Sequence, residues 1–316
     1  MGADVRGLTH AGRTLLAEAL ETPSATAAEA ELSHRVREEK ARECTTLTSE
    51  EVEEVRLART IRGDEGCALC DGAGAAELAP CPEGLDPALR LRVPFVAPTA
   101  KWDPKEDAPR FYDWRTVYPF LDALLPHFDA IREEVLHKAT KWHAWPEQAL
   151  YRAEEGDDWK VFPFVHTFPA TDPSATTWLP KNVSELPRTA ALLASIPGLR
   201  TALISRFGPG TSLSAHRGWA ALANHVLRVH LPLVVPTLSA SAEPCCGLAC
   251  EGQVQYHKER DFLVFDDSKL HMAFNDHPTA TRIVLIFDLV RPKNLPVGTA
   301  VGSTTDELEA FIEYFS

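Results

Sequence analysis

Short apolar runs separated by turn residues occupy the chain after residue 200, and they constrain its fold more than any other feature of the sequence. Two of these runs cover residues 226–233 and 282–288, and Gly-Pro-Gly, proline and Asp-Asp segments punctuate the region. Short apolar runs between such turn signals predict β-strands. A series of them favours a jelly-roll barrel or another β-sandwich, and the pattern alone does not decide between these folds.

Two histidines in this region lie in a pattern typical of metal-dependent oxygenases. Non-haem iron(II) enzymes of this kind commonly bind iron through two histidines and one Asp or Glu. The carboxylate usually comes two residues after the first histidine. Here the first histidine is His216, the carboxylate position is Gly218, and the second histidine is His271. An iron at this site would have two protein ligands and more open positions than usual.

Polar side chains interrupt the two apolar strands. Arg228 and His230 lie two residues apart in the first strand, so they point to the same face of a sheet, and Arg282 opens the second strand. A buried arginine is too costly to keep without an anionic partner. Two arginines and a histidine on core strands, beside two candidate metal ligands, therefore suit a small dicarboxylic acid chelated to a metal.

In this order, these residues resemble the aspartyl/asparaginyl β-hydroxylase family of Fe(II)- and 2-oxoglutarate-dependent oxygenases. The resemblance spans about residues 157–292, and members of the family also carry glycine where Gly218 stands. It implies an α+β fold with a mainly β core, a double-stranded β-helix (jelly roll) flanked by helices. The matching segments are residues 205–211, 216–218, 227–231, 265–268 with His271, and Arg282.

The resemblance also implies roles for individual residues. His216 and His271 are expected to bind the iron, and Arg282 is expected to pair with the distal carboxylate of 2-oxoglutarate. A guanidinium matches a carboxylate with two parallel hydrogen bonds, which lysine does not reproduce. The implied enzyme is a dioxygenase that uses Fe(II), 2-oxoglutarate and O₂ to hydroxylate an unactivated carbon. The further residues expected at the bound cosubstrate are Ser205, Arg228, His230 and, as a wall of the pocket, Trp159.

The expected substrate is less defined than the chemistry. In the animal members of the family, basic side chains near these strands hold the substrate carboxylate, and two of those places fall here on Leu203 and Val226. These two positions weaken the case for a peptide aspartate held as in the animal enzymes, but they do not identify another substrate. A protein side chain, a free amino acid and a lipid-linked acyl chain all stay open.

Each of these residues also has a simpler interpretation. The chain has twelve histidines, and we assign His225, His257 and His277 to turns or the surface. Asp266 and Asp267 follow an apolar strand, and we interpret both as residues that end it, because Asp favours turns. Two alternative functions follow if the oxygen chemistry is absent. One is a jelly-roll module that binds a small dicarboxylate, and the other is an interaction protein that uses the barrel as a scaffold.

Charge and hydropathy exclude several classes of function. The 316 residues include 45 acidic and 32 basic ones, which gives a formal net charge of −13. This charge repels nucleic acid phosphates and anionic membrane surfaces, so we expect no nucleic acid partner. No apolar run approaches the length that crosses a bilayer, and the first residues lack a secretory signal. We expect a cytoplasmic protein without a stable membrane anchor, although an organelle transit sequence would look similar.

The first ninety residues differ in composition from the rest. Residues 11–62 are rich in Ala, Leu, Glu and Arg and predict helices, whereas residues 63–90 are rich in Gly, Ala, Pro and Cys and predict a linker. We therefore expect a helical and irregular extension at residues 1–90 and the oxygenase domain at residues 91–316. One zinc site is conceivable in the extension, but the irregular spacing favours free or locally paired thiols at Cys44, Cys67, Cys70 and Cys81.

Two segments of the second part predict helices. Six apolar residues between positions 121 and 135 repeat at helical spacing, which predicts one apolar stripe that packs against the core. Ser184 is expected to cap another helix, which runs to Ile196 and ends at Pro197-Gly198. Between the two iron histidines, three cysteines are expected to be core or turn residues and not ligands, namely Cys245, Cys246 and Cys250.

Overall fold

A computed structural model describes residues 82, 83, 85, 97–151, 159–238 and 242–315. The helices predicted in residues 11–62, nearly all of the linker predicted in residues 63–90, and the four cysteines considered for zinc lie outside the described residues. The division of the chain at residue 90 therefore stays a prediction.

Eleven antiparallel strands form two sheets in the described part of the chain. This arrangement is the jelly roll that the resemblance implied. The large sheet has the order β1 (Phe111–Tyr112), β9 (Leu263–Phe265), β6 (Val226–Val234), β11 (Arg282–Val290), β5 (Leu199–Phe207), β3 (Trp159–Thr167) and β2 (His143–Ala144), and β4 (Thr176–Trp178) pairs with β3. The small sheet has the order β10 (His271–Asn275), β7 (Cys246–Cys250) and β8 (Gln253–Tyr256).

Short helices surround the strands. The α-helices of the described residues are α1 (Trp114–Val117), α2 (Phe128–Lys138), α3 (Pro180–Glu185), α4 (Pro187–Leu193), α5 (Ala220–Ala223) and α6 (Asp306–Phe315). Three 3₁₀ helices cover Pro119–His127, Gln148–Leu150 and Pro173–Ala175.

The predicted apolar stripe is present, but two helix types share it. Five of its six residues are buried: Leu121, Leu124, Phe128, Ile131 and Val135. The stretch before Phe128 is a 3₁₀ helix that begins at Pro119 and contains Pro126. Because proline lacks an N–H and clashes with the preceding turn, a regular α-helix forms only after Pro126. The stripe is confirmed, whereas a single α-helix is not.

The segment after Ser184 contains a helix as predicted, but its predicted cap and its predicted end at Ile196 were wrong. Ser184 lies inside α3 and donates from its hydroxyl to the carbonyl of Lys181, 2.9 Å away. Pro187 stands at the first position of α4, where its missing N–H costs nothing, and so it separates the two helices. The three cysteines between His216 and His271 are buried and form no disulfide within the described residues, as expected for core residues.

The large sheet has two different faces. On its outer face, side chains such as Phe162, Ile204 and Phe287 pack with residues of α2 and α4 in the main hydrophobic core. On its inner face, Trp159 and Phe207 pack with residues of the small sheet, including Leu248. The inner face is therefore the inside of the barrel, and it carries the polar side chains described next.

Candidate active site

Strand β11 lies between β5 and β6, and its register brings the predicted strand residues together. Asp288 is opposite Arg228 on β6, and Arg282 is opposite Phe207 on β5. Because residues two apart on a strand share a face, Arg282 and Asp288 both point into the barrel. Arg228 and His230 on β6 and Ser205 on β5 lie on the same inner face.

The two histidines expected to bind iron are adjacent. His216 follows β5 in a loop, and His271 is the first residue of β10. Each backbone N–H donates to the other residue's carbonyl oxygen at 2.9 Å, which fixes the two residues side by side. Their ring centroids are 4.5 Å apart. The structure thus juxtaposes the pair that was predicted from positions 55 residues apart in the sequence.

Both histidines present an unprotonated Nε2. The Nδ1 of His216 is 2.8 Å from the carbonyl oxygen of Ser214, and the Nδ1 of His271 is 2.8 Å from that of Lys269. A carbonyl oxygen only accepts, so Nδ1 carries the proton in each ring. Burial lowers the pKa of His216 to about 4 and holds the pKa of His271 well below its usual value. Two neutral rings with free Nε2 lone pairs are the form in which histidine binds a metal.

Asp267 occupies the space that a side chain at position 218 would fill. One of its oxygens lies 3.3 Å from Nε2 of His271, and its buried Oδ2 has no hydrogen-bond partner. A Cβ on Gly218 would lie 2.0 Å from that Oδ2, so any larger residue at position 218 collides with Asp267. Burial raises the pKa of Asp267 to about 7, against the opposing effect of Arg228.

The two aspartates therefore differ in role. Asp266 ends strand β9 as predicted, because its carboxylate accepts from the N–H and hydroxyl of Ser268 and pairs with Arg291 at 2.6 Å. Asp267 was also interpreted as a turn residue, but its side chain points to His271 and Arg228. Sequence reasoning considered this residue and set it aside, since nothing in the strand pattern shows which of two successive carboxylates faces the barrel.

Arg228 is fully engaged with carboxylates of the protein. Its Nη1 donates to Asp267 at 2.6 Å, and its Nε and Nη2 donate to Asp288 at 2.8 and 3.0 Å. The resemblance implied that Arg228 contacts the cosubstrate. In this structure its guanidinium instead connects the carboxylate of Asp267, beside His271, to the carboxylate of Asp288 on β11.

Arg282 has the opposite environment. Its side chain is completely buried, and its Nη2 donates to the hydroxyl of Ser205 at 3.0 Å. The guanidinium carbon lies 3.9 Å from the ring centre of Phe207. Its Nε and Nη1 are buried without any hydrogen-bond partner, and burial lowers the pKa of the group to about 10. The Trp159 indole also donates to the Ser205 hydroxyl at 3.2 Å. Ser205 therefore connects Trp159, the expected wall of the pocket, to Arg282.

His257 belongs to the site, although it was assigned to the turns or the surface. It is buried, and its Nε2 lies 3.1 Å from Nδ1 of His230. Burial holds the pKa of both rings well below the usual value, so the pair is neutral. His257 follows the largely exposed strand β8, and no periodicity in that strand signals a buried histidine.

A cavity of about 320 Å³ lies beside His216 and Gly218. Trp145 stacks on Trp159 with ring centroids 4.7 Å apart. Trp145 also stacks on Trp219, with ring centroids 6.0 Å apart. The carboxylate of Glu147 accepts hydrogen bonds from the indoles of Trp145 and Trp219. The wall that was expected at Trp159 is therefore three tryptophans wide.

The family model described as aspartyl/asparaginyl beta-hydroxylase matches residues 126–292, just over half of the chain. The chain belongs to the aspartyl/asparaginyl β-hydroxylase family. The matched region contains both histidines, Asp267 and both inner arginines.

Similar proteins of known name include bacterial and animal members of the family. An "ornithine lipid ester-linked acyl 2-hydroxylase" of Rhizobium tropici is 43% identical over 118 residues, which are 37% of this chain and 38% of that protein. An "aspartate beta-hydroxylase domain-containing protein 2" of Mus musculus is 32% identical over 170 residues, which are 50% of this chain and 43% of that protein. The chain thus spans about two fifths of the length of these relatives.

Solved structures with a similar fold are distant in sequence. A 2OG-Fe(II) oxygenase family oxidoreductase from Burkholderia pseudomallei has a TM-score of 0.36 at 9% identity and covers 55% of this chain and 81% of its own. A Pseudomonas putida prolyl-4-hydroxylase has a TM-score of 0.32 at 12% identity and covers 53% of this chain and 88% of its own.

Within the described segments, every helix is too short or too polar to span a bilayer.

Proposed function

We propose that this protein is an Fe(II)- and 2-oxoglutarate-dependent hydroxylase of an unactivated carbon, with its oxygenase domain at residues 91–316. One observation carries the proposal: Arg282 is a completely buried cation with two N–H groups that have no partner. A buried charge of this kind is strongly unfavourable unless an anion pairs with it. The environment of Arg282 is therefore that of a binding site for a carboxylate.

The residues around Arg282 fit 2-oxoglutarate. Nε and Nη1 have no hydrogen-bond partner, and Nη2 uses only one of its two hydrogens for Ser205. A guanidinium binds a carboxylate through two parallel hydrogen bonds, here from the second Nη2 hydrogen together with Nε or Nη1. Ser205 holds the third nitrogen in place. His230 shares the same inner face, and His257 fixes the orientation of its ring through the 3.1 Å contact. Arg282 would bind the distal carboxylate, which leaves the 2-oxo acid end for the metal.

The residues around His216 and His271 fit iron(II). Both rings are neutral, so metal binding at neutral pH requires no loss of a proton from either histidine. Asp267 lies 3.3 Å from Nε2 of His271 and is held there by Arg228 at 2.6 Å. We propose His216 and His271 as the two protein ligands, because their neutral rings lie side by side with centroids 4.5 Å apart.

Iron and 2-oxoglutarate, when bound, supply the oxidising chemistry with O₂, and the protein supplies position and the exclusion of water. The stacked tryptophans line the approach to the histidine pair and keep it apolar. For the substrate, the Rhizobium relative is named for an ester-linked acyl group of a lipid. We propose the lipid-linked class from the three that the sequence left open.

The test is an anaerobic titration of the apoprotein with Fe(II) and 2-oxoglutarate, followed by the visible charge-transfer absorption of the chelate. We expect the band in the wild type and in His137→Ala, which changes an exposed histidine of α2. We expect its loss in His216→Ala and in His271→Ala. A folded protein that binds 2-oxoglutarate by calorimetry but forms neither the band nor succinate would be a dicarboxylate-binding module instead.

A further inference from the structure

We propose that the cavity beside His216 is the binding site for a linear acyl chain, which lies against the three tryptophans and under helix α6. This inference rests on the proposed function, because it assigns the substrate-binding part of the same site. Its evidence is the composition of the cavity wall, the bonding of the wall's charged groups and the way in which α6 covers it.

The wall is apolar along most of its length. Strands β5 and β11 contribute Leu203 and Ile286, the segment around α5 contributes Trp219 and Leu222, and α6 closes the opposite side. The wall also contains His216, Gly218 and Arg228, where the proposed reaction would take place. A cavity of about 320 Å³ lined in this way lies in the size range of small-molecule sites, which are mostly apolar with few polar groups.

The charged side chains of the wall are already bonded within the protein. Arg228 pairs with Asp267 and Asp288, and Arg217 donates to the carbonyl oxygen of Ser268 at 2.9 Å. Glu147 accepts from two indoles and from the hydroxyl of Thr305 at 2.9 Å. An acidic peptide side chain would therefore have to compete with Asp267 and Asp288 for Arg228, and it would also meet the carboxylate of Glu147, whereas an alkyl chain needs no cation.

Leu203 identifies the position where this difference arises. It was one of two places where a basic residue was expected for a peptide substrate, and it lies on the cavity wall. The other, Val226, is completely buried in a small cluster with Ala170 and Leu222, directly behind the wall. At both positions an apolar side chain stands where a basic one was expected, one on the apolar wall of the cavity and one directly behind it.

Helix α6 covers the cavity with one row of side chains. Leu308 is buried, and Phe311 and Ile312 are half-buried against the cluster that contains Trp145 and Trp159. The opposite side of the helix is exposed and acidic, with Glu307, Glu309 and Glu313. Thr305, which caps the helix, donates to Glu147 and so ties the start of α6 to the tryptophan wall. An amphipathic helix held in this way is suited to cover an alkyl chain.

The test measures binding by the apoprotein, so it needs neither iron nor turnover. The three wall tryptophans provide the signal, and the ligands are hexanoate, octanoate, decanoate and dodecanoate. Burying a methylene contributes ~0.8 kcal/mol, so the affinity should rise about fourfold per added carbon until the cavity is full. A tetrapeptide that contains Asp should not compete.

Two variants separate the cavity from general surface binding. Leu203→Arg should weaken dodecanoate binding by more than tenfold, and Leu136→Arg, at an exposed position of α2, should not change it. Ile286→Phe should fill part of the cavity, so dodecanoate should lose about tenfold while hexanoate loses little. If no fatty acid binds, or if both cavity variants bind dodecanoate as tightly as the wild type does, the proposal is wrong.

A second set of ligands identifies which kind of molecule carries the acyl chain. Dodecanoate, its coenzyme A thioester and a dodecanoyl lysolipid carry the same alkyl chain on different groups. Any of them as the tightest ligand supports an acyl site and names the source, whereas no preference for any of them over the peptide contradicts it. An apoprotein that binds acyl chains but forms no charge-transfer band with Fe(II) and 2-oxoglutarate would retain this site and lose the proposed function.

Discussion

The adjacent strands β6 and β11 carry two inward-facing arginines in opposite electrostatic states. On β6, the half-buried Arg228 lies opposite Asp288 and bonds two carboxylates through three of its nitrogens. At the start of β11, Arg282 is completely buried, and its one hydrogen-bond partner among the described residues is the hydroxyl of Ser205. Arg228 is thus part of the protein's own framework, whereas Arg282 keeps two donors without a hydrogen-bond partner, which is why we propose it as the binding site of a carboxylate.

The largest effect is expected from removing the paired arginine. Arg228→Met leaves Asp267 and Asp288 as two buried carboxylates without a cation, and breaking a buried pair costs ~3–5 kcal/mol of stability. Denaturant unfolding of the apoprotein measures this change. Arg132→Met, at a partly exposed arginine of α2, is the control and should cost less than ~1 kcal/mol. An Arg228 variant as stable as this control would show that the carboxylates do not depend on the arginine.

The next effect concerns the space that Asp267 takes from position 218. Gly218→Ala places a methyl group 2.0 Å from Oδ2 of Asp267 and 2.7 Å from Cβ of Ala223. We expect a loss of ~1–3 kcal/mol in the free energy of unfolding, as for other overpacked sites. Gly218→Ala should cost less in an Asp267→Gly background than in the wild type if the carboxylate is the obstacle. Equal costs of Gly218→Ala in both backgrounds would place the collision elsewhere.

A smaller effect is expected from the histidine pair beside Arg282. His257→Phe keeps a ring of similar size but removes the hydrogen bond to His230, and a net hydrogen bond contributes ~1 kcal/mol. We expect the dissociation constant of 2-oxoglutarate to rise about fivefold, and His257→Gln to recover part of the affinity. If both variants bind as the wild type does, His257 fills space without orienting His230.

The smallest change in stability should come from the unpaired arginine. Arg282→Met removes a buried charge that has no counter-ion in the protein, so the free energy of unfolding without ligand should change by less than ~1 kcal/mol or should increase. The same denaturant measurement as for Arg228→Met tests this expectation. A loss as large as that of Arg228→Met would mean that Arg282 is structural and would remove the contrast between the two arginines.

The sequence predicted the parts of the site that follow from regular strands. Arg228 and His230 share a face because side chains alternate along a strand, and Arg282 stands where a new strand begins. The ordered set of motifs added His216, His271, Ser205 and the jelly roll. These predictions depend on local strand geometry and on the spacing of motifs, and both can be recognised from the amino-acid sequence alone.

What the sequence did not predict depends on packing between distant segments. Asp267 and Asp266 are adjacent in the chain, and only the packing of Arg291 and Arg228 decides which carboxylate turns towards His271. His257 joins the site because the small sheet folds over the large one, which no local pattern encodes. Pro126 and Pro187 divided helices whose apolar spacing alone looked continuous.

The central claim is that Arg282 binds the distal carboxylate of the cosubstrate, and one comparison of ligands tests it directly. The measurement is anaerobic calorimetry of the Fe(II)-loaded protein with 2-oxoglutarate and with 2-oxobutyrate, which lacks the distal carboxylate. We predict that the wild type binds 2-oxoglutarate about 100-fold more tightly, which corresponds to ~2.7 kcal/mol for a desolvated charge pair. In Arg282→Met the two ligands should bind alike. A wild type that does not distinguish them, or a preference that survives in Arg282→Met, would contradict the account.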